Sequence, residues 1–211
     1  MLSGLFAGLG AIGRTRETRL PIFPLKTVLF PGGRLPLRVF ETRYMDMAKE
    51  CLRDAKPFGI CSITTGDEVG KPADYAPIGT IAKIVNWDMQ ELGILGLVTE
   101  GGSRFNVIER ETTPGGLAIA QVVLLEEEDA NAAAAPSPVL VDLLEKLIER
   151  VGEKHFMEAR HFDDPNWVSY RFAEILPLKL SLKQKLLEVN DSEVRLRVIG
   201  EYLRQQGIDP G

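Results

Sequence analysis

Residues that carry most enzyme chemistry are scarce in this 211-residue chain, which has two histidines and two cysteines. Both histidines, His155 and His161, lie in the stretch HFMEARHFDD with three carboxylates. On a helix His155 and Glu158 share a face, but His161 is rotated well away, whereas a metal needs converging ligands. The stretch reads instead as a polar helix end running into a cap at Asp164, so no metal is expected. Cys51 and Cys61 have apolar neighbours, the setting of inert core thiols in a reducing compartment, not of a redox pair. Positive charge is not in excess either. Twenty-five basic side chains face thirty acidic ones, for a net charge of −5. The charge is not segregated: residues 1–138 hold 14 basic and 17 acidic side chains, and residues 139–211 hold 11 and 13. No basic stripe is available to neutralise phosphates, which argues against a nucleic-acid partner. No apolar run reaches the roughly 20 residues of a bilayer span, so no membrane partner is expected and a cytoplasmic location is.

Two phosphate-binding patterns are nearly present and both fail. Gly8-Leu9-Gly10-Ala11-Ile12-Gly13 matches GxGxxG, but too little chain precedes it for a strand, and a proline-bearing strand follows where a helix is required. Gly66-Asp67-Glu68-Val69-Gly70-Lys71-Pro72 is one residue short between its glycines, and Pro72 stands where a Ser or Thr must reach magnesium. No cofactor and no catalytic residue is assigned.

What the chain does have is a proline-punctuated strand pattern at residues 20–41, LPIFPLKTVLFPGGRLPLRVFE. Leu20, Ile22 and Leu25 bracket Pro21 and Pro24. A strand with two prolines cannot donate a full ladder, which places it at a sheet edge or a barrel seam. Pro31-Gly32-Gly33 turns the chain, and Leu35, Leu37 and Val39 then alternate with Pro36, Arg38 and Phe40. The pattern reads as two short strands clasped by a turn.

These residues resemble the opening of the Lon protease N-terminal, or substrate-binding, domain. The shared elements are Leu20-Pro21-Ile22-Phe23-Pro24-Leu25, Leu29-Phe30-Pro31-Gly32 and Leu35-Pro36-Leu37. Val39-Phe40-Glu41-Thr42-Arg43-Tyr44 is similar to the family's VFEPRY segment, with Thr42 in place of proline. Gly79-Thr80-Ile81-Ala82 and Gly101-Gly102-Ser103-Arg104-Phe105 resemble further family motifs. The resemblance implies an α+β fold: a PUA-like antiparallel β-barrel with one or two helices, followed by a small C-terminal helical bundle. It also implies recognition of protein substrates. Full Lon proteases add an ATPase and a Ser-Lys protease domain. With no P-loop and no serine in a nucleophile turn, neither activity is expected here.

Along the chain, residues 1–18 read as a tail and 19–126 as the barrel domain. Apolar residues at helical spacing predict a helix over 41–55. Strands are expected at 58–63, 79–87, 94–100, 104–110 and 117–125, with turns at 88–93, 101–102 and 113–116. Residues 127–138, acidic and then alanine-rich, read as a linker. A helical domain follows over 139–211. Asp164-Pro165 starts one of its helices, Ser181/Gln184 and Asn190/Glu193 look like capping boxes, and Gly207 marks the last end.

Three functional readings follow. The first is a non-enzymatic module that holds exposed apolar or unfolded segments of protein for a partner such as a protease or chaperone. Its candidate contacts are Phe30, Pro31, Arg43, Tyr44, Trp87 and Arg104, expected at turns, strand ends and a helix start, because Trp, Tyr and Arg dominate interface energetics. The strand at 20–25 could also accept an extended peptide, although its prolines weaken that offer. The second reading is a small-molecule or RNA binder on the same barrel. The third is an enzyme, which would need a pocket gathering His155 or His161 with carboxylates.

Overall fold

The structure is a computed structural model and describes residues 17–126, 134–152, 156 and 159–210. Nearly all of the tail, seven residues of the linker, and His155 and Glu158 lie outside the described residues. The elements in order are β1 (Glu17–Leu25), β2 (Arg34–Val39), α1 (Thr42–Asp54), β3 (Phe58–Thr65), β4 (Asp74–Tyr75), β5 (Ile78–Glu91), β6 (Ile94–Thr112) and β7 (Ala118–Leu124). Four helices follow, α2 (Pro138–Val151), α3 (Pro165–Ile175), α4 (Leu180–Glu188) and α5 (Ser192–Gln205). The architecture is the expected α+β one.

The sheet runs β1-β7-β6-β5-β3-β4, and a parallel β1–β3 pairing closes it into a barrel. β1 is the seam. Glu17 to Ile22 pair with β7, and Ile22 to Leu25 pair with β3. A strand that exchanges neighbours halfway has fewer ladder positions for Pro21 and Pro24 to spoil. Each half of β1 is paired along one flank and Ile22 along both, so residues 20–25 form a seam between β7 and β3 and not the free sheet edge on which the peptide-accepting expectation rested.

Two further expectations are corrected. β1 and β2 do not clasp each other; β2 pairs antiparallel with β6, Arg34 opposite Glu100 through Val39 opposite Leu95. An Arg34–Glu100 ion pair at 2.8 Å reinforces that register. Residues 94–100 and 104–110, expected as separate strands, form one 19-residue strand. Gly101 is there for close approach, not for turning: a Cβ on it would lie 2.2 Å from the Phe30 carbonyl oxygen. The real turn before β6 is at Gly93, with φ of +83°.

α1 buries Tyr44, Met47, Ala48 and Cys51 against Phe23, Phe58, Leu95 and Leu97. Each large apolar side chain so buried contributes about 1.5–3 kcal/mol. In the helical layer, the Asp164 side chain accepts from Asn166 N at 2.8 Å with Pro165 at the first helical position, as the sequence predicts. The two proposed capping boxes are not formed. α4 starts at Leu180, and Gln184 instead bridges to the barrel, accepting from Ser62 Oγ and donating to Ile78 O. α5 is capped by Asp191, one residue after Asn190, which is occupied elsewhere. One core cluster joins Val28 and Phe30 of the β1–β2 loop to all four of these helices.

Candidate recognition surface

The six residues expected to contact a ligand occupy three different environments. Phe30 is fully buried, its ring 5.7 Å from that of Tyr170. Pro31 is half-buried, and its carbonyl accepts from Arg171 Nη2 at 2.9 Å. Arg104, 1% exposed, reaches from β6 to the α4–α5 connection, donating to Leu187 O at 2.9 Å, to Val189 O at 3.4 Å and to Asn190 Oδ1. Two other buried arginines lie nearby, Arg171 bonding across to the β1–β2 loop and Arg195 tying the helices to one another. Arg171 donates to Pro31 O and Gly32 O, and Arg195 to Ser169 Oγ, Val189 O, Asn190 O and Asn166 Oδ1. Arg171 Nε also faces Glu174 Oε2 at 3.0 Å, without the alignment of a hydrogen bond. Burial pushes the Glu174 carboxyl up, against the pull of the Arg171 guanidinium.

Arg43 and Tyr44 fix the start of α1. The Arg43 guanidinium donates to Gly116 O at 3.0 Å, pairs with Glu41 at 3.1 Å and lies 4.6 Å over the Tyr44 ring, which in turn stacks on Phe23 at 4.1 Å. The expectation of exposed aromatic and arginine contacts is therefore corrected for Phe30, Tyr44 and Arg104, which lie inside.

Trp87 is different. It is 57% exposed, and Val85 and Met89 beside it are 47% and 54% exposed. All three lie where β5 runs on past its last pairing with β3, at Ala82 opposite Phe58. There β5, β6 and β2 form a three-stranded arm with the register Trp87–Leu97–Leu37 across it. A cleft of about 400 Å³ lies along the arm, lined by Pro36, Arg38, Asn86, Trp87, Asp88 and Gly96 among others. Gly96, between Arg38 and Asp88 in register, leaves the floor without a side chain. At the arm's end Arg38 Nη2 donates to both carboxylate oxygens of Glu91 at 3.0 Å. Apolar walls with a few fixed polar groups suit an apolar ligand that also carries backbone amides.

Sequence reading reached Trp87 but missed Val85, Met89, Pro36 and Arg38. The signal was present: Val85, Trp87 and Met89 alternate with Asn86 and Asp88, a strand pattern that also fits a buried face. Only the strand order shows that this segment extends beyond the barrel.

Elsewhere, chemistry is muted. Burial pushes the thiols of Cys51 to about 11 and Cys61 to about 12, so neither is a nucleophile near neutral pH. Among the described residues no group of three His, Cys, Asp or Glu side chains could hold a metal ion, and no helix is long and apolar enough to cross a membrane.

Comparison with known proteins gives one consistent answer. The family model for the ATP-dependent protease La (LON) substrate-binding domain matches residues 19–205. A Lon protease of Dictyoglomus thermophilum is 29% identical over 192 residues, which cover 89% of this chain and 24% of that protein. Lon protease 2 of Myxococcus xanthus is 27% identical over 195 residues, covering 89% and 24%. The chain thus spans about a quarter of the length of these curated relatives. Among solved structures, the Lon N-terminal domain protein from Xanthomonas campestris superposes with a TM-score of 0.70 at 32% identity, over 86% of this chain and 96% of that one. The N-terminal domain of the Mycobacterium avium complex Lon protease gives 0.62 at 20% identity, over 88% and 97%, a likeness of fold.

Proposed function

This chain belongs to the LON substrate-binding domain family, and we propose that it is a recognition module that holds exposed apolar or unfolded segments of other proteins without breaking bonds in them. The match to the family is to the substrate-binding part of Lon alone. The observation that carries the reading is the arm: Trp87, flanked by Val85 and Met89, stands exposed beside an apolar cleft. Covering the exposed halves of three such side chains yields about 3 kcal/mol. That suits weak, reversible capture, with dissociation constants on the order of tens of micromolar once cleft contacts are added. The held segment would then pass to a partner such as a protease or chaperone.

Fluorescence anisotropy tests this directly. Labelled serum albumin, reduced and carboxymethylated so that it stays unfolded, is expected to bind, and the native protein is not. Absence of binding at concentrations on the order of 100 micromolar removes the reading. Added salt should change the affinity little; a steep loss would point to phosphate contacts and the RNA alternative.

A further inference from the structure

The arm has two open edges, and the register shows how each is finished. Gly32 N donates to Gly101 O at 2.8 Å and Gly101 N to Gly33 O at 2.9 Å, a bulge at Gly32-Gly33 that turns the Gly101 backbone groups toward β2. Two residues apart along the unbroken β2–β6 register, Leu35–Thr99, Leu37–Leu97 and Val39–Leu95 are then hydrogen-bonded pairs. By alternation the residues between them face outward on β2, and Pro36 is one of these. The β2 edge is therefore blunted by a residue that cannot donate.

The same alternation settles β5. Gly96 and Val98 of β6 turn their backbone groups toward β5, where they meet Asp88 and Asn86. Trp87 lies between those two pairs, so its N–H and C=O face away from β6. The structure agrees: Trp87 N donates to the side-chain Oδ1 of its own neighbour Asn86 at 2.8 Å. Among the described residues no strand pairs with β5 beyond Ala82 on its flank away from β6. This edge has no proline, and it carries Trp87 and Met89 at two-residue spacing, with Val85 turned the other way by the register shift between Ile84 and Asn86.

We propose that an extended apolar stretch of client polypeptide binds as an added strand on the outer edge of β5, centred on Trp87. The peptide's carbonyl replaces Asn86 Oδ1 on the Trp87 N–H, its N–H meets the Trp87 carbonyl, and its apolar side chains pack beside Trp87 and Met89. An added strand recognises any extended chain through main-chain bonds, while the apolar row selects for hydrophobic stretches. Register shifts between Ile84 and Asn86 and between Asp88 and Glu91 confine regular pairing to a few residues. The contact is thus short, which keeps capture weak and reversible. It is also too small for a stable pairing of two copies of this chain, which needs on the order of 1,000 Å².

This inference rests on the recognition reading, and its test separates the two. The probe is a fluorescein-labelled, lysine-flanked peptide of alternating valine and threonine. A second version is N-methylated at two adjacent central residues, which blocks both of its edges and leaves its side chains. The methylated peptide is expected to bind on the order of tenfold more weakly, one or two hydrogen bonds' worth. Trp87→Ala removes the indole but keeps the edge N–H, whereas Trp87→Pro removes both at a position where the β5–β6 ladder does not use the N–H. Trp87→Pro is expected to weaken binding of the parent peptide a further several-fold below Trp87→Ala. If methylation has no effect and the two variants bind alike, strand addition is wrong while apolar capture stands. If neither the peptide nor unfolded albumin binds the unmodified protein, both readings fall.

Discussion

Replacing Arg104 with methionine tests whether the barrel and the helical layer are held together by buried guanidinium groups. Arg104 sits on β6 and is 1% exposed, and its acceptors Leu187 O, Val189 O and Asn190 Oδ1 all lie across the joint. Methionine keeps most of the apolar stem, so the change isolates the polar head. A hydrogen bond from a charged donor is worth about 1.5–3 kcal/mol, and an acceptor left buried without a partner adds to the loss. Part of this is returned, because burying a guanidinium is itself costly. A net loss of about 2–4 kcal/mol follows. For a chain of this size each kcal/mol lowers Tm by roughly 2–4 °C, so a drop of about 4–16 °C is expected. Circular dichroism reports the whole fold, and in a Trp87→Phe background emission from Trp167, buried in α3, reports the helical layer. Arg104→Lys, with a single point of attachment, should fall between. Binding of unfolded albumin by the folded variant should persist, since Arg104 is remote from the cleft lining. A melt within about 2 °C of the parent would show that the joint does not depend on this residue.

Gly101→Ala should be far worse than Gly102→Ala. The first drives a methyl to 2.2 Å from the Phe30 carbonyl oxygen and is expected to cost about 3 kcal/mol or more, whereas the second meets nothing nearer than 3.5 Å and should cost under about 1 kcal/mol; urea titration separates them. Cys51 and Cys61, held by burial at about 11 and about 12, should fail to react with Ellman's reagent at mildly alkaline pH until denaturant is added, when two thiols appear; prompt reaction in the native state contradicts their placement. Asp54 is held at about 2 by hydrogen bonds from Arg53 and then Lys56. Because its folded value lies below the ordinary 3.8, the stability it lends is present above that value and is lost as pH falls through about 2. The group is exposed, so the effect on stability is small; carboxyl NMR should nevertheless place its midpoint well below 3.8, and the double change Arg53→Ala, Lys56→Ala should return it there.

Period-two and period-3.6 patterns made most elements legible in the sequence, since each depends on a local choice of which face is apolar. The helix at Thr42–Asp54, the Asp164-Pro165 start and the positive-φ stop at Gly207 all follow from neighbours within one turn. What was not legible is pairing over long separations. Gly101-Gly102 carries the letters of a turn, and only the Phe30 backbone passing over it makes it a straight strand. Asn190 and Glu193 carry the letters of a capping box, but Arg104, 86 positions earlier, claims the Asn190 side chain. Charge misled in the same way. Arginine is rarely buried, so Arg104 looked like a surface contact, whereas loop carbonyls from distant segments satisfy it inside. Trp87 was reachable from sequence because a large aromatic is informative in either environment, although β5 runs on to Glu91, past the strand end expected at Trp87. Its availability depends on β3 stopping short of it.

The root of the three-stranded arm is tied to the helical layer. Arg171 of α3 donates to Pro31 O and Gly32 O. Gly32 N in turn donates to Gly101 O at 2.8 Å, and Gly101 N to Gly33 O at 2.9 Å. The loop leading into β2 is therefore clamped between a buried guanidinium on one side and the middle of β6 on the other. From that clamp the β2–β6 register runs without a shift to Val39 and Leu95. A one-residue slip there would turn every β2 side chain to the opposite face and exchange the outward Pro36 for an edge position with a free donor. The buried arginine thus does more than join two layers: it holds the loop from which the β2–β6 register starts, and in that register Pro36 faces outward and closes the β2 edge, while the Trp87 edge is open because β3 ends before it.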